Sequence, residues 1–266
     1  MRMNIGVLCY PTFGGSGVVA TELGMALAKK GHVVHFISYK QPVRLNHFNQ
    51  NIYFHEVIEP DYALFEHMPY ESALVSTVID VCTFASLDLL HVHYAIPHAA
   101  VGYMAKQVLK SKGIHLPVVT TLHGTDITLV GKRRAFAPIV EFSINQSDAV
   151  TAVSEDLKEQ TCSYFEIDQD IDVVHNFIDF ERFRAQDKEH FKLAIAPNGE
   201  KILMHTSNFR KVKRIHDIIE VFKIVRQNMP AKLMLVGDGP ERQRYERKCR
   251  EMGLCEDIFF LGKQQA

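Results

Sequence analysis

The sequence has no long apolar run: nothing in its 266 residues approaches the ~18 consecutive apolar residues that a membrane-spanning helix requires. No secretory leader is expected, because the short apolar stretch after Met1-Arg2-Met3-Asn4 reads as a strand rather than a signal-peptide core. Neither sign of charge dominates. With 30 Lys and Arg against 31 Asp and Glu, the formal net charge is −1 and the pI about 6.9. This balance argues against a global basic field for nucleic acid or an anionic membrane, so an anionic ligand must be caught by local groups. The five cysteines, Cys9, Cys82, Cys162, Cys249 and Cys255, are scattered, odd in number and without C-x-x-C spacing. They argue against a disulfide frame or zinc site and fit reduced thiols in a cytoplasmic protein.

What is present is a globular composition, 47% hydrophobic and 23% charged. Short β-rich runs alternate with helical patterns, which predicts an α/β fold with a mainly parallel sheet. Strands are expected at residues 4–10, 33–38, 52–58, 89–93, 118–122, 149–153 and 171–174. Helices are expected at residues 17–30, 71–85 and 97–110, in a stretch ending near Gln146, and after Ser154 as N-cap. Pro97 is read as lying in the first turn of its helix. One doubly wound, Rossmann-like domain is then complete over residues 1–175, and the polar, weakly patterned residues 176–200 read as an interdomain connection.

The pattern restarts with strands at 201–205, 232–236 and 257–261 and helices at 213–227 and 240–252. Ile215, Ile218, Ile219, Phe222 and Val225 recur with helical period. Three strands and two helices are too few to cover both faces of a parallel sheet. Residues 201–266 are therefore expected to be the first part of a second Rossmann-like domain, truncated in this chain.

Candidate site residues gather at strand ends. Gly14-Gly15-Ser16-Gly17 joins the first strand to the first helix, where backbone N–H groups and the helix N-terminus suit a phosphate; a plain tight turn is the alternative. The stretch lacks G-x-G-x-x-G spacing, and no acidic residue ends the second strand (Ser38, Tyr39, Lys40), which argues against NAD. His91-Val92-His93-Tyr94 puts two histidines on one strand face, read as core histidines rather than metal ligands, with Tyr94 at the strand's carboxyl end. In Thr120-Thr121-Leu122-His123-Gly124-Thr125-Asp126, His123 stands just past a strand and suits a sugar or acceptor hydroxyl, with Thr125 or Asp126 as helix cap.

In the second half, Ser207-Asn208-Phe209-Arg210-Lys211-Val212-Lys213-Arg214 concentrates cations before a helix. That arrangement would neutralise a departing diphosphate or simply form a solvated basic face. Gly237, in Val236-Gly237-Asp238-Gly239-Pro240, makes a turn where a nucleotide's ribose or base would pack, or a plain strand-to-helix turn. Asp168, Asp170 and Asp172 form overlapping D-x-D matches in a polar loop and are not read as a metal site.

Together with Ala152-Val153-Ser154 and Asn176-Phe177-Ile178-Asp179, this ordered set resembles the retaining glycosyltransferases of the GT-B fold, over essentially the whole chain. With Pro42-Val43-Arg44-Leu45-Asn46, it is most similar to the subgroup that moves N-acetylglucosamine from UDP onto L-malate, the first step of bacillithiol assembly. The resemblance implies a UDP-sugar donor in an interdomain cleft, retention of configuration, no cofactor and no metal. It implies that Gly14, Gly15 and Ser16 face the diphosphate and acceptor, and that His123 contacts the donor sugar. Tyr94 and Thr121 would hold malate, Asn176 would line the acceptor side, and Arg210 and Lys213 would bind the departing diphosphate. Asn208 stands where many relatives carry an arginine, so Arg210 is expected to substitute from two residues on.

The family's donor-gripping Glu-x7-Glu segment is expected beyond Ala266, and these 266 residues alone are expected to have little or no transferase activity. Small-molecule substrates are the expected partners, with no nucleic acid and no stable membrane association; a homo-oligomer is left open. Two alternatives stand beside this reading: the same fold acting on another polyol or a lipid-linked glycan, or a non-catalytic nucleotide-sugar-binding protein. Lys106, Lys110 and Lys112 are the faint candidate for membrane affinity.

Overall fold

The computed structural model describes residues 1–45, 49–58, 70–184 and 187–264. The chain divides into two compact units, Met1–Phe180 and Glu181–Ala266. In the first, strands β1 (Asn4–Leu8), β2 (Val33–Ser38), β3 (Ile52–Glu56), β4 (Leu89–His93), β5 (Val118–Leu122), β6 (Ala149–Ala152) and β7 (Ile171–Val173) form one parallel sheet. Their order is β3-β2-β1-β4-β5-β6-β7. Helices α1 (Gly15–Lys29), α2 (Tyr70–Ala85), α3 (Ala100–Ser111), α4 (Ala137–Asn145) and α5 (Glu155–Tyr164) connect the strands.

Strand alternation explains the layers. Ile5, Val7, Val34 and Phe36 pack with Ala20 and Ala28 of α1. Leu8 and Ile37, one residue out of step, join Leu74 and Val78 of α2 and Leu109 of α3. Adjacent strand residues face opposite sides, so helices cover both faces, and β2 is buried along its whole length. The order of strands reverses between β1 and β4. Open α/β sheets bind ligands beside such a switch point, outside the carboxyl ends of the strands. Residues 14–17 follow β1 and Tyr94 follows β4, so the two turns flank it.

The second unit holds α6 (Glu189–Ile195), β8 (Lys201–Thr206), α7 (Ile215–Asn228), β9 (Ala231–Val236), α8 (Arg242–Glu251) and β10 (Ile258–Gly262). Its strands are parallel in the order β10-β9-β8. Phe209, Ile215, Ile219, Phe222, Leu233 and Tyr245 form its core.

Several local expectations are corrected. The first strand ends at Leu8 and the third at Glu56 rather than at residues 10 and 58. Pro97 does not open a helix. It lies in a wide turn, Ala95–Ala99, with a cis Ile96–Pro97 bond, and α3 begins at Ala100. The extended Ile96 (φ −131°, ψ 141°) fits the restriction proline places on its predecessor. Lys213 precedes its helix rather than starting it. Arg214, at φ +50°, separates the tight turn Lys211–Lys213 from α7. The stretch read as a bare connection contains α6. Arg44 pairs with Glu22 of α1 at 3.0 Å, while Asn46 lies outside the described residues.

Candidate active site

The turn after β1 ends in a helix start that carries no side-chain cap and no acidic residue in its first turn. The first N–H groups of α1 thus keep their partial positive charge for an outside acceptor. Gly14 sits at φ −69°, so this turn does not rely on a left-handed glycine. Close packing explains one glycine instead. A Cβ on Gly17 would lie 2.4 Å from the Tyr10 carbonyl oxygen and 2.7 Å from that of Thr12, whereas one on Gly15 would meet nothing within 4 Å. Gly17 seats the helix against the incoming strand, and Gly15 opens onto free space.

Ser16, Tyr94, Thr121 and His123 are brought together across the switch point. Ser16 Oγ donates to Tyr94 Oη at 2.8 Å. The Tyr94 N–H donates to the Thr121 carbonyl at 3.0 Å, and the Tyr94 ring lies 5.4 Å from that of His123. Tyr94 holds φ +90°, a strained conformation for a bulky residue that persists only where surrounding contacts enforce it. His91 Nε2 is 2.7 Å from Thr121 Oγ1, which in turn lies 2.7 Å from Thr151 Oγ1. His91 and His93 do share one face, as the alternation predicts. The His91 and His93 rings stack at 4.6 Å, and His123 meets His93 edge to edge, its Nε2 2.8 Å from His93 Nδ1.

Thr125 or Asp126 is the expected helix cap; neither side chain caps the turn, and Asp126 has another task. Its buried carboxylate accepts the Ala95 N–H at 3.0 Å and the His123 N–H at 3.2 Å. It therefore ties the loop after β4 to the loop after β5. No side chain caps the wide turn Thr125–Gly131 that follows.

Burial sets the electrostatics. His91, His98 and His123 are each pushed down to about 4 by desolvation, and for His123 the neighbouring His91 and His98 act in the same direction. His93 is held well below its ordinary value by burial, with the neighbouring His91, His123 and His98 acting in the same direction. Asp126 is pushed up to about 6 by burial, against the opposing hydrogen bonds from backbone N–H groups. At neutral pH the site presents uncharged imidazoles beside a helix N-terminus.

In the second unit Asn208, Arg210, Lys213 and Gly237 lie at the carboxyl edge of the sheet. Phe209, fully buried, anchors their loop in the core, while Asn208, Arg210 and Lys213 are exposed. His205 Nε2 is 2.9 Å from Ser207 Oγ, and desolvation followed by the Lys213 charge lowers the His205 pKa. Gly237 adopts φ +123°, and a Cβ there would lie 1.9 Å from the Ser207 carbonyl oxygen. The turn closes on the basic loop only because glycine occupies this position. Asn176 is exposed after β7 and takes no part in the Ser16–Tyr94 contacts. Three residues on, Asp179 pairs with Lys29 at 2.9 Å, at the end of α1 opposite Ser16.

Sequence comparison bears on this arrangement directly. The profile of Glycosyltransferase Family 4 matches residues 13–182, and that of Glycosyl transferases group 1 matches residues 185–266. The chain belongs to glycosyltransferase family 4. This family 4 glycosyltransferase is 46% identical over 268 residues to N-acetyl-alpha-D-glucosaminyl L-malate synthase of Bacillus anthracis, covering 99% of this chain and 69% of that protein. Among solved structures it is similar to Anabaena HepE in complex with UDP and glucose, at a TM-score of 0.74 and 17% identity, covering 99% of this chain and 70% of the other. Sucrose-phosphate synthase from Thermosynechococcus elongatus gives 0.76 and 16%, with coverages of 99% and 71%. These two likenesses carry the fold, the GT-B class with its Rossmann-like sheets.

Three parts of the candidate site are not announced by the sequence: the Asp126 staple, the His93–His123 contact and the Thr151 hydroxyl behind Thr121. The His-x-His alternation was the available signal for the second. Nothing local announced the others. Among the described residues, no helix is long and apolar enough to cross a membrane.

Proposed function

We propose that this glycosyltransferase moves N-acetylglucosamine from UDP-N-acetylglucosamine to the hydroxyl of L-malate, with retention and without a metal. The observation that carries the reading is the 46% identity, over 99% of the chain, to a protein named for that product. The contact of Ser16, Tyr94, Thr121 and His123 at the switch point agrees with it.

In this reading the N–H groups of Gly14, Gly15 and Ser16 and the cations Arg210 and Lys213 stabilise charge growing on the diphosphate as the glycosidic bond breaks. Electrostatic stabilisation of this kind is commonly the largest catalytic term. His123 holds the donor sugar, Tyr94 and Thr121 the malate. Asn176 serves the acceptor side, Asn208 the diphosphate, and Gly237 the nucleoside. The malate hydroxyl attacks from the face the diphosphate leaves, and a phosphate oxygen takes its proton.

A lipid-linked acceptor is the second reading. It is favoured by an apolar cavity of about 670 Å³ lined by residues including Tyr10, Tyr39, Ile96, Met104, Phe136 and Ile139, with Tyr10 packed 5.6 Å from Tyr94. Release of UDP from UDP-N-acetylglucosamine, measured with L-malate, neutral polyols or lipid-linked glycans, separates the two. Malate-dependent release supports the first reading; release only with a lipid acceptor overturns it.

A further inference from the structure

We propose that His93 is a positioning residue that fixes His123 in the tautomer protonated on Nδ1, so that His123 offers an N–H donor to an oxygen of the bound sugar. This rests on the reading of His123 as a sugar contact. His93 Nδ1 and His123 Nε2 lie 2.8 Å apart, so one proton is shared between them and its owner sets both rings.

The far side of His93 decides the owner. His93 is fully enclosed, and its Nε2 is buried with no hydrogen-bond partner among the described residues. Were His123 to donate, the neutral His93 would carry its proton on Nε2, a buried N–H with nothing to accept it. Orphaned buried N–H groups are among the rarest defects in folded proteins, rarer than under-satisfied acceptors. With His93 donating from Nδ1, its Nε2 is instead a bare lone pair facing the interior. His123 Nε2 is then the acceptor, and the His123 proton belongs on Nδ1, the nitrogen that His93 does not engage.

The His93 ring cannot swing away from this duty. His91 stacks on it at 4.6 Å, and His123 Nε2 holds its Nδ1 at 2.8 Å. The carbonyl of His93 is held as well, accepting from His98 Nδ1 at 2.5 Å. Both partners stay neutral because burial opposes charging either one. A fixed N–H donor is matched to acceptor oxygens, and a carbonyl oxygen, which only accepts, distinguishes it from a bare nitrogen. His93 touches no substrate in this account; it acts through His123.

Histidine nitrogen NMR on the intact, ¹⁵N-histidine-labelled protein tests the assignment, with His35 as an internal reporter of folding. His123 should show a protonated Nδ1 and a bare Nε2. His93→Asn puts an amide nitrogen near the place of Nδ1 and should keep that pattern. His93→Leu should let His123 sample both tautomers. In the malate assay His93→Leu should lower kcat about tenfold, the low end of the effect of removing an outer partner that orients a functional histidine in metal sites. KM for malate should change little, and His93→Asn should restore most of the loss.

A protonated Nε2 on His123 in the unsubstituted protein overturns the proposal. So does a slow His93→Leu variant whose His123 nitrogens are unchanged. Absence of malate transfer leaves the tautomer assignment untouched, because these 266 residues alone are expected to have little or no activity and the nitrogen pattern is read without substrate.

Discussion

Ser16 Oγ and Tyr94 Oη are 2.8 Å apart, a hydrogen bond that joins the first turn of α1 to the residue after β4 across the switch point. The bond orients a phenol whose backbone is already held at φ +90°. Tyr94→Phe keeps the ring packing and removes this bond. One such bond is worth about 0.5–1.5 kcal/mol. The expected outcome is a KM for L-malate raised up to about tenfold, with KM for UDP-N-acetylglucosamine nearly unchanged. Initial rates with each substrate varied in turn provide the check.

The glycine turn separates packing from binding. Gly17→Ala would drive a Cβ to 2.4 Å from the Tyr10 carbonyl, a rigid backbone atom, so the helix start must shift. Overpacking of this sort costs about 1–3 kcal/mol. Gly15→Ala meets nothing within 4 Å and should leave the urea midpoint where it is. If the N–H groups here hold a diphosphate, the same methyl should weaken UDP-sugar binding. Urea denaturation and isothermal titration on the two variants distinguish the roles, and a stable Gly17→Ala would show the close contact to be yielding.

Much of this arrangement can be read from residue order, because alternation and helical period are local. Strand β2 and the apolar face of α7 announce themselves, and so do Tyr94 and His123 standing just past strand ends. The parts that stayed hidden depend on contacts distant in sequence. Asp126 bonds Ala95, 31 residues away, so an aspartate that looks like a cap becomes a staple between loops. Arg214 enters a left-handed conformation that its side chain does not advertise, and so Lys213 sits outside the helix.

Asp126 gives a stability prediction of its own. Asp126→Ala leaves the N–H groups of Ala95 and His123 without their acceptor in a buried setting. Unsatisfied buried groups cost about 1–3 kcal/mol each. Asp126→Asn keeps one acceptor oxygen and should cost less. The order expected in urea midpoints is Asp, then Asn, then Ala, with turnover falling in the same order because the two loops carry Tyr94 and His123. Equal midpoints for Asp and Ala would remove the staple from the account.

The buried imidazoles predict acid lability. In His91, His98 and His123 the folded-state pKa is lowered from 6.5 to about 4. Between those values the unfolded chain binds protons that the folded one does not. Stability contributed by these groups is present above pH ~6.5 and is lost as pH falls toward 4, at up to about 1.4 kcal/mol per pH unit for each group. Asp126 works the other way. Its pKa is raised from 3.8 to about 6, so below pH 6 the folded state takes up a proton first and offsets one histidine. The net expectation is a urea midpoint that falls between pH 7 and pH 5. A midpoint flat across that range would mean that the imidazoles are charged in the folded protein.

Arg210 and Lys213 are exposed on a loop anchored by buried Phe209, so their removal should leave the fold intact. Surface substitutions of this kind usually change stability by less than about 0.5 kcal/mol. If they hold the leaving diphosphate, each supplies a charge-assisted contact worth about 1.5–3 kcal/mol. Arg210→Ala and Lys213→Ala are then expected to weaken UDP binding by at least tenfold, roughly the effect of 1.4 kcal/mol. Binding by the unsubstituted protein should weaken with added salt, and binding by the variants less so. Titration of UDP at two salt concentrations measures both effects. A solvated basic face would instead give unchanged affinity in both variants, and the leaving-group role would pass to other residues.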